Sequence, residues 1–247
     1  MNVKGNTIVI TGATRGIGLS LLERFHQLDN KIIAVARNRS ALDTLAAKYE
    51  GIATIACDLS DPGSVDALVN TITEQHAETN ILINNAGIQV NFYGSKFGEK
   101  PEVITGIKNE IQVNFTAPIE LVFKLIPLLL QHKNPAVVNV SSGLAFSPKK
   151  SAPVYCGTKA GIHIFSKSLR YQFEDTDLKV FEIIPPLVDT DMTKGRGKGK
   201  LTPAQLVEEF IRAFRKDHYE INIGKTKLLR LIGRISPRLA DSILKNN

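Results

Sequence analysis

The chain has 247 residues, of which 43% are hydrophobic and 22% are charged, and these shares are ordinary for a folded globular protein. That length allows one large α/β domain with a core that needs no metal or disulfide. Cys57 and Cys156 belong to no metal-ligand motif, no signal peptide is evident, and no apolar run approaches the roughly 20 residues of a membrane span. The composition therefore favours a cytoplasmic protein with free thiols, no metal and no transmembrane segment.

Short apolar segments rich in β-branched residues alternate with longer amphipathic segments. The predicted strands cover residues 7–10, 31–36, 51–56, 81–83, 136–140 and 179–184, and the predicted helices cover residues 16–28, 39–49, 62–77, 102–131 and 152–173. Strands that alternate with helices and are apolar on both faces indicate a parallel sheet. We therefore predict a single α/β domain over residues 1–247, with a doubly wound, Rossmann-type, mostly parallel sheet flanked by helices on both faces. Pro118 and Pro127 predict a kink or a break in the fourth helix.

The basic charge lies at the C-terminal end. Residues 193–247 contain thirteen Lys and Arg against five Asp and Glu, a difference of +8, whereas the whole chain has a net charge of +7. Glycines alternate with cations at the start of this region, and we predict a mobile substrate lid over 193–205, with a plain solvated loop as the alternative. Thr202 and Pro203 then predict a helix start, followed by a short strand at 220–223.

The last segment, residues 224–247, is a basic amphipathic extension. Its leucines and isoleucines are interleaved with lysines and arginines. We expect it to pack on its own or a neighbouring subunit, with peripheral contact with an anionic membrane as the alternative and no nucleic-acid partner.

A glycine-rich turn follows the first predicted strand and precedes a helix. It reads Thr11-Gly12-Ala13-Thr14-Arg15-Gly16-Ile17-Gly18. Residues without a Cβ allow the backbone to bend and to approach a pyrophosphate, and the helix N-terminus offers free N–H groups to that anion. The alternative interpretation is a tight turn that binds no ligand. The context of strand, turn and helix favours a dinucleotide site.

The spacing of these glycines resembles the TGxxxGIG motif of the short-chain dehydrogenase/reductase family, and the resemblance extends over roughly residues 5–192. The C-terminal pattern is similar to that of the DltE-like bacterial oxidoreductases. This resemblance implies an enzyme that interconverts a carbonyl and an alcohol by hydride transfer with NAD(P)(H). It also implies cofactor contacts by Gly12, Thr14, Arg15, Gly16, Ile17, Gly18, Arg37, Asp58, Leu59, Asn85, Ala86, Gly87, Tyr155, Lys159, Pro185, Val188 and Thr190.

The residues after the second strand favour NADP(H). No acidic residue follows this strand to bind the ribose hydroxyls of NAD; Arg37 stands there instead. A guanidinium group binds phosphate with charge-assisted hydrogen bonds, and Arg15 in the glycine turn is placed to reach the same group. NAD(H) remains possible, because both arginines would also suit a solvated surface.

Four polar residues match the family's catalytic set. Tyr155 and Lys159 are four residues apart, so they share one helix face, and a nearby ammonium would lower the pKa of the phenol. The resemblance implies that Tyr155 is the acid/base and that Lys159 tunes it and holds the ribose. Ser142 would orient the substrate oxygen, with Ser141 as the alternative, and Asn114 would support a proton relay.

Two other functions remain open. A catalytically silent NADP(H)-binding sensor or scaffold would keep the glycine turn but would not need the catalytic set. A sugar-nucleotide epimerase also uses the Tyr-x-x-x-Lys pair, but the residues after 192 are too few for its substrate domain. The resemblance further implies a homodimer or homotetramer, built through the helices at 102–131 and 152–173. The substrate is a small carbonyl or alcohol compound whose identity the sequence does not give.

Overall fold

The computed structural model describes residues 1–93 and 101–246. Seven strands form one sheet: β1 (Thr7–Thr11), β2 (Lys31–Ala36), β3 (Ala53–Ala56), β4 (Ile81–Asn84), β5 (Ala136–Val140), β6 (Lys179–Ile184) and β7 (Glu220–Asn222). The helices are α1 (Gly16–His26), α2 (Arg39–Lys48), α3 (Pro62–Gln75), α4 (Pro101–Ile111), α5 (Ala117–Leu129), α6 (Pro153–Gln172), α7 (Pro203–Arg215), α8 (Lys225–Ile235) and α9 (Pro237–Leu244).

The strand order is β3-β2-β1-β4-β5-β6-β7, and every neighbouring pair is parallel. The chain therefore starts in the middle of the sheet and winds outward in both directions, which confirms the doubly wound α/β fold. The direction of winding reverses between β1 and β4. At this point the connections leave the sheet on opposite sides, so a crevice opens beyond the carboxyl ends of the strands.

The sheet separates two layers of hydrophobic core. Phe25 of α1 packs edge-on against Phe210 and Phe214 of α7 on one face of the sheet, and all three rings are fully buried. On the other face, Leu68 of α3 and Leu125 of α5 belong to a second buried cluster with the strand residues. These layers fix the helices against the sheet, and thereby fix the loops that surround the crevice.

The predicted fourth helix is divided, as its prolines indicated. Residues Gln112–Thr116 form a π-helical segment between α4 and α5. Pro118 has no N–H for the carbonyl of Asn114, four residues earlier, so regular α-helical bonding cannot continue through this point. Pro127 remains inside α5.

One helical stretch, Glu102–Leu129, is long and apolar enough to cross a membrane by length and composition. Half of its most apolar part is buried inside the protein, and the core helix of a globular protein is often as long and as apolar. In this fold Leu121, Val122 and Leu125 of the stretch face the core, with no side-chain surface left exposed. Burial of this kind indicates a core helix.

The C-terminal region forms the predicted helix, a short strand and two further helices. Thr202 caps α7 by accepting a hydrogen bond from the backbone N–H of Gln205, and Pro203 is the first residue of the helix. The basic extension is broken at Pro237, because the residue before a proline disfavours the helical conformation. The lid at 193–205 and the single-domain boundary stay predictions.

Candidate functional site

A cleft of about 500 Å³ lies at the carboxyl ends of the strands, where β1 and β4 diverge; we call it the central cleft. It receives residues from the ends of six strands, because parallel strands all end at the same edge of the sheet. Its lining includes fifteen of the residues that the family resemblance implies for the cofactor: Gly12, Thr14, Arg15, Gly16, Ile17, Arg37, Asp58, Leu59, Asn85, Ala86, Gly87, Tyr155, Lys159, Pro185 and Thr190.

The glycine turn is closely packed against the segment that follows β4. Gly12 and Gly16 adopt φ values of +67° and +57°, which a residue with a Cβ rarely accepts. Asn85 donates hydrogen bonds from its side-chain amide to the carbonyls of Thr11 (2.9 Å) and Gly12 (3.2 Å). The side chain of Arg15, the N-cap residue, makes no capping bond, so the first N–H groups of α1 stay available to a ligand.

Gly18 and Val188 do not line the central cleft. A Cβ at Gly18 would lie 2.1 Å from the carbonyl oxygen of Gly12, so this glycine lets α1 approach the turn. Val188 is only 3% exposed and pairs with Leu201 in an isolated parallel bridge. Both residues therefore lie behind the residues that line the cleft and do not face it.

Two arginines stand at the open end of the cleft. Arg37 is 3.9 Å from Asp58 and Arg15 is 3.6 Å from Asp191, and both guanidinium groups are mostly exposed. Such exposed pairs contribute little to stability, so the arginines are free to turn toward an anion. Asp58 has a local role as well: hydrogen bonds from Ser60, and then the charge of Arg37, hold its pKa below the usual range.

Tyr155 and Ser142 face each other beside the cleft. Tyr155 stands in the first turn of α6, and Ser142 follows the end of β5. Although part of Tyr155 is open to solvent, desolvation raises the pKa of its phenol to about 12, and a hydrogen bond from Ser142 opposes this effect. The phenol is therefore protonated at neutral pH, and the tuning of its pKa by Lys159 stays a prediction.

Lys159 lies one turn further along α6 and is 4% exposed. Its ammonium group donates a hydrogen bond to the carbonyl of Val140 (2.8 Å) and lies 5.7 Å from the centre of the Tyr155 ring. Burial lowers the pKa of Lys159 to about 8, and the carboxylates of Glu182 and Glu110 oppose that shift. The lysine is thus mostly charged at neutral pH, but only because buried acids lie near it.

Asn114 belongs to the π-helical segment and is buried. Its side-chain amide exchanges two hydrogen bonds of 2.8 Å with the backbone of Ile88, so it fixes the segment just beyond Gly87. A Cβ placed on Gly87 would lie 3.3 Å from the Asn114 side-chain oxygen and 3.6 Å from the ammonium of Lys159. The three residues therefore lie close together, and the side-chain amide of Asn114 is already hydrogen-bonded to Ile88.

The sequence interpretation missed a buried carboxylate behind the catalytic set. Glu182 of β6 is fully buried and accepts hydrogen bonds from the hydroxyl of Ser141 and from Nδ1 of His163, the latter at 2.8 Å. Ser141 thus points into the protein, which leaves Ser142 as the serine that faces Tyr155. A single acid inside an otherwise apolar strand was the signal that could have revealed this group.

A second buried carboxylate, Glu110, lies at the end of α4. One of its oxygens accepts the N–H of Val90 (3.0 Å), and the other has no hydrogen-bond partner among residues 1–93 and 101–246. Burial raises the pKa of Glu110 above its usual range. No residue pattern in the sequence distinguishes it from Glu102, the exposed glutamate of the same helix.

Among the residues that the structure describes, no group of three or more His, Cys, Asp and Glu side chains is arranged to hold an ion. Cys57 and Cys156 are both buried free thiols. Burial raises the pKa of each thiol, so neither is an activated nucleophile.

These features define a dinucleotide-dependent oxidoreductase, and comparison with known proteins identifies its family. The model of the short chain dehydrogenase family matches residues 6–201. The chain therefore belongs to that family, as the sequence predicted, and is an NAD(P)-dependent dehydrogenase or reductase that acts between carbonyl and alcohol.

Individual relatives agree with this assignment. The uncharacterized oxidoreductase DltE of Bacillus subtilis is 36% identical over 236 residues, which are 93% of this chain and 92% of that protein. A short-chain dehydrogenase from Sphingobium yanoikuyae, solved with NADPH, is 26% identical with a TM-score of 0.80 and covers 96% of both chains. A short chain dehydrogenase from Burkholderia cenocepacia, solved with NADP, shares the fold over 100% of both chains at 21% identity and a TM-score of 0.85.

Proposed function

We propose that this protein is an NADP(H)-dependent oxidoreductase that interconverts a small carbonyl compound and its alcohol at Tyr155. The observation that carries the proposal is that Tyr155 and Lys159 both line the central cleft, while Ser142 is hydrogen-bonded to the Tyr155 phenol. A pure sensor would have no use for a buried lysine next to a desolvated phenol.

The chain's own residues account for the proton at the reacting oxygen. Tyr155 would donate its proton to the carbonyl oxygen in reduction, and a pKa of about 12 keeps that proton in place at neutral pH. Ser142 would donate a hydrogen bond to the same oxygen as negative charge builds on it. Lys159 would stabilise the phenolate that remains.

Asn114 would take part through its backbone and not through its side chain. The side-chain amide is satisfied by Ile88, whereas Pro118 offers no N–H to the Asn114 carbonyl. We propose that this carbonyl orders a water molecule next to Lys159, which would return a proton to Tyr155 after each turnover. Substitution of the side chain would then affect the position of the loop after β4 more than the proton transfer itself.

The cleft fits a nicotinamide dinucleotide by its shape and by its charge. A Cβ at Gly12 would lie 2.9 Å from the backbone of Ala86, so only a glycine allows the turn to pass this close to the segment after β4. Arg37 and Arg15 present exposed guanidinium groups where a 2′-phosphate would lie, which favours NADP(H) over NAD(H). NADP(H) held here would supply or accept the hydride.

The first test is a titration of the purified protein with NADPH and with NADH, followed by the fluorescence of the reduced cofactor. The chain contains no tryptophan, so the protein background is small. We expect NADPH to bind more tightly, and we expect Arg37→Ala to weaken NADPH by roughly tenfold or more, as the loss of a charge-assisted hydrogen bond would. NADH binding should change little.

Arg215→Ala is the matched control, because Arg215 is an exposed arginine on α7 outside the cleft. Oxidation of NADPH by a panel of aldehydes and ketones then tests the chemistry. Binding of NADPH without turnover of any carbonyl compound would favour the sensor or scaffold function. Failure to bind either cofactor would refute the proposal as a whole.

We also propose that the protein self-associates through α5 and α6. Phe123, Ile164 and Tyr171 present large apolar side chains to solvent there, between 50% and 62% exposed. Phe123 stacks edge-on against Phe165, so these helices carry a continuous apolar surface. Sedimentation velocity should give a dimer or a tetramer, and Ile164→Asp should dissociate it; a monomeric wild type would refute this arrangement.

A further inference from the structure

The two C-terminal helices expose an apolar face that the rest of the protein does not cover. Helices α8 and α9 pack against each other and form what we call the C-terminal hairpin. Leu228, Leu231, Ile235 and Leu239 of this hairpin are between 52% and 79% exposed. Four large aliphatic side chains within twelve residues form a patch, in contrast to the single exposed hydrophobic residues that any surface carries.

The exposed residues share the outer side of the hairpin. Leu228, Leu231 and Ile235 are three and four residues apart, so they lie along one face of α8. The inner side is held by other residues: Leu229 is buried, and Thr226 is buried and donates a hydrogen bond to the carbonyl of Ile184 (3.0 Å). The apolar face therefore points away from the protein body without being needed to anchor the helix.

Cations surround this face. The hairpin carries five Lys and Arg and a single acid, Asp241, and Lys245 follows directly after it. Arg230 pairs with Glu220 and Lys227 pairs with Glu209, but Lys225, Arg234, Arg238 and Lys245 make no ion pair within the described part of the chain. Their charge is left for a partner outside the molecule.

We propose that the C-terminal hairpin docks on an anionic lipid bilayer. Aliphatic side chains enter the boundary between headgroups and acyl chains, while lysines and arginines beside them bind the anionic headgroups. A second copy of the chain fits less well, because a two-fold interface would bring the same cations face to face. Nucleic acid fits less well too, because the hairpin has no aromatic residue on which bases could stack.

Docking would place the catalytic side of the protein at the membrane surface. Helix α8 lies against the segment that connects Ser142 to Tyr155: the guanidinium of Arg230 is 4.2 Å from the centre of the Phe146 ring, and a Cβ at Gly143 would lie 2.9 Å from Thr226. The backbone N–H of Lys150 donates to the carbonyl of Lys245 (3.0 Å). The hairpin and the segment that connects Ser142 to Tyr155 thus pack together as one unit.

The experiment uses single tryptophans in the full chain, which has none of its own. Ile235→Trp places the reporter on the exposed face of α8. Gln27→Trp places a matched reporter at the exposed C-terminal end of α1, outside both the hairpin and the surface of α5 and α6. With vesicles of phosphatidylglycerol we expect a blue shift and protection from a water-soluble quencher for Ile235→Trp only. With phosphatidylcholine vesicles, and with phosphatidylglycerol at high salt, the effect should be much weaker.

Vesicle sedimentation separates the apolar from the charged contribution. We expect Leu231→Ser/Ile235→Ser and Arg234→Gln/Arg238→Gln each to weaken binding at least tenfold. Lys133→Gln/Lys167→Gln, which removes two exposed charges elsewhere, should bind as the wild type does. Unchanged thermal unfolding and NADPH binding show that a variant is folded.

Three results would overturn the proposal. The wild type does not bind phosphatidylglycerol vesicles, or it binds phosphatidylcholine equally well, or the tryptophan at position 235 shifts with protein concentration in the absence of lipid. The last result would assign the face to a contact between copies.

Discussion

Gly18→Ala tests whether close packing is the reason for the third glycine of the turn. The added methyl would lie 2.1 Å from the carbonyl oxygen of Gly12 and 2.5 Å from the side-chain nitrogen of Asn85. The first of these neighbours is backbone, so rotation of a side chain cannot relieve the contact. Overpacking of this kind costs about 1–3 kcal/mol. Loss of one Asn85 hydrogen bond would add about 0.5–1.5 kcal/mol.

We therefore expect the free energy of unfolding to fall by about 2–4 kcal/mol. In a protein of this size, that corresponds to a decrease in Tm of roughly 5–15 °C. The turn would also shift, so the Kd for NADPH should rise at least tenfold. Urea denaturation and the fluorescence titration measure the two effects separately.

Gly157→Ala is the control, because Gly157 is an exposed residue in α6 and a Cβ there meets no atom within 4 Å. Alanine in an exposed helix should stabilise the protein by roughly 0.5–1 kcal/mol. If Gly18→Ala unfolded like the wild type and bound NADPH equally well, the packing argument for the turn would be refuted.

Three further substitutions test the catalytic set and its buried surroundings. Tyr155→Phe should lower kcat by about 10²–10⁴ while NADPH still binds, and an unchanged kcat would remove the tyrosine from the chemistry. Glu182→Gln should move the alkaline limb of kcat/KM to lower pH, because Glu182 raises the pKa of Lys159, which burial lowers to about 8; a limb that stays in place would contradict this. Lys149→Met should stabilise the protein to urea at acidic pH, because burial and then Arg196 lower the pKa of Lys149 in the folded state. Its charged form therefore costs stability below the folded pKa, and the difference from the wild type should vanish above about pH 10.5, where the lysine is neutral in both states.

The fold could be predicted from the sequence because its signals are local. Each of the seven strands lies within two residues of its expected bounds, and the strands are apolar on both faces because helices cover both sides of the sheet. The capping residues Thr202 and Pro203 placed the start of α7 correctly. The π-helical segment at 112–116 could not be predicted, because Pro118 indicates that the helix is interrupted but not which conformation the interruption takes.

The glycine turn and the Tyr155–Lys159 pair could be found because each has its own short spacing in the sequence. Glu110 and Glu182 could not, because their importance comes from tertiary contacts with residues far along the chain. The pKa of Tyr155 shows the same limit: the spacing placed Lys159 on the same helix face, but it could not reveal that desolvation raises the pKa of the phenol.

Glu182 is the residue whose position argues most strongly for a function beyond folding. A carboxylate in the middle of a buried strand has a large desolvation cost, and hydrogen bonds from Ser141 and His163 only offset it. An apolar residue would serve the sheet better. What the carboxylate provides instead is a negative charge close enough to raise the pKa of Lys159, together with a fixed orientation of the strand end that precedes Ser142. A residue that breaks the local rule for a buried strand, and at the same time supports two members of the catalytic set, is better explained by the chemistry of the site than by the stability of the sheet.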